Sequence, residues 1–100
     1  MIKLINQHDP YIFNFPEITV DISNVGIFNQ IDKCSSEIIE IIEAFEKSDI
    51  WETAIETLDA IHALETLLYS LCNRYGFEIL DCKADVIEKN AKRGYYEHER

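Results

Sequence analysis

Two long helical patterns separated by a turn of only a few residues constrain this chain more than any other feature. From about Ser23, apolar residues recur at spacings of three and four through Ile27, Ile31, Cys34, Ile38, Ile41, Ile42 and Phe45, ending near Lys47. A second run passes through Ile55, Leu58, Ile61, Leu64, Leu68, Leu71 and Tyr75. Asp49 reads as the cap of that second helix, with Glu52 three residues on to complete a capping box, and Gly76 as its stop. Helices joined so tightly must lie antiparallel. Gly26 leaves the first turn of the first helix open, and the segment Phe77 to Asp81 reads as a connection with room for a short extended piece. Asp81 then caps a last helix over 82–93, carrying Val86 and Ile87 and ended by Gly94. The expected fold is all-α: an antiparallel helical hairpin plus a C-terminal helix over 23–96. An irregular arm, 1–22, holds both prolines, and 97–100 form a tail.

Size and charge limit what such a domain can do. At 100 residues with 47% hydrophobic content, the chain has apolar material for a core but little volume in which to bury it. Two long helices that are apolar on most sides call for a four-helix-bundle-type core shared between copies, in a homodimer or homotetramer. A formal charge of −10 argues against nucleic acid or an anionic membrane as a partner, because both would repel it. Cys34, Cys72 and Cys82 form no C-x-x-C pair and leave one thiol over, which fits a reducing cytoplasm. No apolar stretch approaches the roughly 18 residues of a membrane span, and the N-terminus lacks the pattern of a signal peptide. The expectation is a soluble cytoplasmic protein.

Against that background, four acids stand out. Glu37-x-x-Glu40 and Glu56-x-x-Asp59 each place two carboxylates on one side of a helix, among isoleucine, leucine and alanine neighbours. Glu40 lies eight residues before Ser48 and Glu56 eight after it, so the pairs are expected at one level of the hairpin. Carboxylates drawn together in apolar surroundings must be paired, protonated or bound to a cation. Hard oxygen ligands favour Mg²⁺, with Mn²⁺ as the alternative. One E-x-x-E alone usually marks a solvated face; two pairs facing each other are far more specific. Glu43, one turn beyond Glu40, reads as a general base, an extra ligand or a surface acid. Lys89 and Arg93 share a face at i, i+4, which suits either a phosphate clamp or ordinary last-turn cations. Trp51, Tyr95 and Tyr96 are candidates for stacking a base, although aromatics at such positions more often pack. His62 follows Asp59 by three, as in half of a di-iron motif whose second half is missing, and a lone His there more often belongs to the interior.

Three segments, SSEIIEIIEAF, ETLDAI and VIEKNAKRGYY, together resemble the MazG-like nucleotide pyrophosphohydrolases of the all-α NTP pyrophosphatase superfamily. The family pattern is E-E-x-x-E, then E-x-x-D, then a later K-N-x-x-R segment with an aromatic after it. It falls here on Glu37 and Glu40, on Glu56 and Asp59, and on Lys89, Asn90, Arg93, Gly94 and Tyr95, covering about residues 30 to 96. Ser36 stands where the family has its first Glu. The resemblance implies a Mg²⁺-dependent enzyme that cleaves nucleoside triphosphates between the α and β phosphates, giving the monophosphate and pyrophosphate. It assigns Glu37, Glu40, Glu56 and Asp59 to metal and Lys89, Asn90, Arg93 and Tyr95 to substrate. The alternatives are a degenerate member that kept the bundle as an interaction or regulatory protein, to which Ser36 points, and a redox di-metal bundle, to which only His62 points.

Overall fold

The computed structural model describes residues 15–16 and 26–96, and among these it contains three α-helices and no strand. Helix α1 spans Ile27–Glu46, α2 Ile50–Tyr75 and α3 Ile79–Lys92. The expected arm over 1–22 lies outside the described residues apart from Phe15 and Pro16, and so does the tail over 97–100. Helices α1 and α2 pack on each other as the expected hairpin, whereas α3 touches α2 at only a few positions.

The reversal is made by one compact motif. Ser48 adopts the left-handed conformation, φ 59°, and donates its N–H to the Phe45 carbonyl at 2.9 Å, while the Asp49 N–H reaches Ala44 at 3.2 Å. Together these two bonds satisfy the last carbonyls of α1 in a Schellman arrangement, here with serine in the place usually held by glycine. Asp49 also caps α2, its carboxylate accepting from the Glu52 N–H at 3.0 Å. Only half of the expected capping box forms, because the Asp49 N–H that Glu52 would have bonded is already given to Ala44. One residue therefore ends α1 and begins α2, which is why the loop is so short.

At the other end, Gly76 stops α2 at φ 73° and donates to the Cys72 carbonyl at 2.8 Å. Helix α3 starts three residues earlier than expected. Its N-cap is Glu78, whose carbonyl accepts from the Asp81 and Cys82 N–H groups, so Asp81 sits inside the first turn instead of capping it. There its charge favours the positive helix end. The segment read as a possible extended piece is thus only Phe77 and Glu78.

Within the hairpin the seam is narrow, its apolar residues all small. Gln30, Cys34, Glu37 and Ala44 of α1 and Ala60 and Ala63 of α2 are the buried residues, and no large side chain is fully buried among those described. The Gln30 amide donates to the Ala63 carbonyl at 3.0 Å, tying the open end of the hairpin together. Large apolar residues face outward: Phe45 is 64% exposed, Trp51 78% and Leu80 73%.

Candidate metal centre

Helical phase decides which acids meet. Residues 30, 34, 37 and 44 recur at spacings of three, four and seven, so Glu37 belongs to the buried stripe of α1. Glu56 stands one turn before Ala60 and two before Ala63, on the corresponding stripe of α2. Gln30 is level with Ala63, and seven residues nearer the turn Glu37 is level with Glu56. The pairing is therefore Glu37 with Glu56, about one helical turn away from the Glu40 and Glu56 match drawn from equal distances to Ser48. Both pairs run N to C along antiparallel helices, so Asp59 lies further from the turn than Glu56 and Glu40 nearer to it than Glu37. Four acids cannot all be level. Oxygens of Glu37, Glu56 and Asp59 lie within 4.8 Å of one another, and the exposed Glu40 stands outside that trio, close enough to Glu37 for the two carboxylates to shift each other's titration.

Glu37 is the unusual member. It is only 6% exposed, and its Oε2 is buried without a hydrogen-bond partner. Its Oε1 accepts from the Lys33 ammonium at 2.9 Å, one helical turn earlier. That contact, more than any other, holds the Glu37 carboxyl below its ordinary range, against the opposing effect of burial. Glu40 is pushed the other way, first by its hydrogen bond to Glu37 and then by the Glu37 charge. Glu56 is also raised, by burial first and then by the charges of Glu52 and Asp59. These directions describe a cluster short of positive charge.

The donor set fits a small hard cation. Octahedral Mg²⁺ at about 2.1 Å from each oxygen sets ligand oxygens roughly 3.0 to 4.2 Å apart, so a spread within 4.8 Å needs only slight rotamer adjustment. The orphaned Glu37 oxygen supplies a lone pair with no other use among the described residues. No thiol or imidazole stands in the cluster, which disfavours zinc and copper.

Other expected site residues are placed less decisively. Glu43 is exposed, six residues or about 9 Å along the axis from Glu37. Lys89, Asn90, Arg93 and Tyr95 lie at the end of α3, where the Asn90 amide contacts the Tyr96 hydroxyl at 3.4 Å and the Arg93 guanidinium stands 6.0 Å from the Tyr95 ring centre. Among the described residues, no hydrogen bond or ion pair joins this segment to the carboxylates. Two contacts escaped the sequence reading. Lys33 was legible from its i, i+4 spacing to Glu37. The Phe15 ring, stacked on His62 at 4.5 Å, was not, because no local signal ties an arm to a helix distant in sequence.

The fold and site together define a helical hairpin with a carboxylate cluster at its seam. Compared with known proteins, the chain matches no family model, no curated protein and no solved structure. No helix among the described residues is long and apolar enough to cross a membrane, and all three cysteines are free thiols.

Proposed function

We propose that the chain is a MazG-like, Mg²⁺-dependent nucleoside triphosphate pyrophosphohydrolase, cleaving between the α and β phosphates to release the nucleoside monophosphate and pyrophosphate. The observation that carries this reading is the near-buried Glu37, which has one carboxylate oxygen without a partner and stands with Glu56 and Asp59 in a group whose oxygens lie within 4.8 Å of one another. A buried acid with an unused oxygen is costly, by about 1 to 3 kcal/mol, and its retention is explained if a cation binds there. Glu37, Glu56 and Asp59 are the ligands, with Glu40 reaching the same ion from the solvent side. Mg²⁺ bound there supplies the charge that holds phosphate oxygens and acidifies an attacking water. Lys89, Asn90 and Arg93 bind the phosphates and Tyr95 the base.

The chain acts in the cytoplasm as a homodimer or homotetramer, whose assembly covers the exposed apolar stripes and brings the α3 end of one copy toward the carboxylates of another. Ser36 favours a second reading, a degenerate relative that keeps the bundle as an interaction or regulatory protein.

Pyrophosphate release from ribo- and deoxyribonucleoside triphosphates, with Mg²⁺ or Mn²⁺, separates the two. Turnover that falls at least about a hundredfold in Glu56→Gln or Glu40→Gln, with helical content unchanged, establishes the enzyme. Metal binding without turnover supports the second reading. Neither binding nor turnover overturns the metal site itself.

A further inference from the structure

Lys33 occupies a place that the proposed enzyme would have to vacate. Its ammonium lies 2.9 Å from Glu37 Oε1, on the one acid of the cluster that is almost wholly buried. The other oxygen of the same carboxylate is enclosed and unpartnered. Glu40 and Asp59 are also close enough to add to the field that favours the charged ammonium. Among the described residues, Lys33 is thus the cation paired with this trio of carboxylates. The two partners differ sharply in exposure: the Lys33 side chain is 62% exposed and that of Glu37 only 8%. The lysine reaches in from solvent on a flexible stem and can leave by rotamer change alone, whereas Glu37 cannot move without opening the seam.

We propose that Lys33 is a resident counter-cation, and that a divalent metal loads the site by displacing its ammonium from Glu37, so that Lys33 sets the metal concentration at which the site fills. This rests on the metal reading given above. The physical reason is charge: an ammonium held on a ligand oxygen both blocks a lone pair and repels the incoming ion. A single unit charge about 4 Å away changes affinity by about fivefold even in water, and by more against a doubly charged ion or where solvent is partly excluded. Divalent binding is then an exchange, in which one lysine is released for each metal taken up, and the freed ammonium is left at the edge of the site where an anionic substrate arrives.

Calorimetric titration of the full chain with Mn²⁺ and with Mg²⁺, comparing native protein with Lys33→Gln and Lys33→Arg, tests the exchange. Lys33→Gln should bind at least about fivefold more tightly, and Lys33→Arg, which keeps the charge on Glu37, should bind no more tightly than the native chain. A second measurement needs no variant: the acetylation rate of each lysine in native protein, read by mass spectrometry with and without Mg²⁺. Lys33 should react faster once metal releases it, while Lys83 and Lys92 should not change. If the native chain binds metal but Lys33→Gln binds equally or more weakly, or Lys33 labelling is indifferent to metal, the exchange is wrong and the metal site stands. If neither chain binds metal, both readings fall.

Discussion

At the scale of the residue, Glu37 is the costliest side chain described. Its carboxylate is buried in the seam between α1 and α2 with one oxygen on Lys33 and one on nothing. Replacing it by methionine removes the orphaned oxygen, worth about 1 to 3 kcal/mol, and gives up an i, i+4 ion pair worth only about 0.5 kcal/mol. Glu37→Met should therefore raise the melting temperature of the metal-free protein by several degrees and abolish its Mg²⁺-dependent stabilisation; a lower melting temperature would show that the Lys33 pair outweighs the buried charge. The acids also predict an unusual pH profile. Glu40 and Glu56 are held above their ordinary pKa of 4.5 in the folded chain, so the folded state binds protons more readily than the unfolded one, and stability falls as pH rises through that window. Glu37 is held below 4.5, so its contribution is present above the unfolded value and is lost as pH falls through the folded one. In chelator, the melting temperature should rise as pH is lowered toward the ordinary carboxylate value from above, then fall on further acidification below it. The first of these trends should weaken in Glu40→Gln and Glu56→Gln.

At the scale of the element, the helix ends carry the local specification. Asp49 serves α1 through its N–H and α2 through its carboxylate, so its two roles can be separated by mutation. Asp49→Ala removes only the second and should cost about 1 kcal/mol, measured by urea unfolding, with the hairpin retained. Gly76→Ala forces a Cβ into the left-handed region at φ 73° and should cost about 1 kcal/mol. Open space around that position means the penalty is conformational and not steric. A loss well under half of that would mean that α2 can end elsewhere.

For the molecule as a whole, what stands out is how little core the described residues form. The buried apolar residues of the described chain are Cys34, Ala44, Ala60 and Ala63, all small. Meanwhile Ile31, Ile38, Ile42 and Phe45 form a stripe on α1 that is exposed along its length. By helical phase it lies on the other side of the seam from Lys33 and Glu40, so it can be covered without closing the carboxylate cluster. Each such side chain gains about 1.5 to 3 kcal/mol when fully buried, and the described residues offer nothing to bury it. Light scattering should find a dimer or tetramer, and Ile42→Asp should shift it toward smaller, less helical species. A stable native monomer at micromolar concentration would overturn the shared core and would require α3 or the arm to cover the stripe.

Periodicity and turn chemistry are local, and so the all-helical class, the hairpin, and the caps at Asp49 and Gly76 could be read from residues a few positions apart. The start of α3 was misplaced because Asp81 is as good a first-turn residue as a cap, and the choice falls to the backbone at Glu78. The acids were legible as two i, i+3 pairs, but of the four only Glu37 is buried; Glu56 is half-buried, and Glu40 and Asp59 are exposed. Which of them meet was not legible, because it depends on how two helices are phased and slid against each other, and no short-range rule fixes that. Tertiary packing placed Glu37 opposite Glu56 and left Glu40 on the solvent side. It also set Phe15 on His62 across a long separation in sequence. Those contacts were decided in three dimensions because the charge and surface that favour them exist only once the seam has closed.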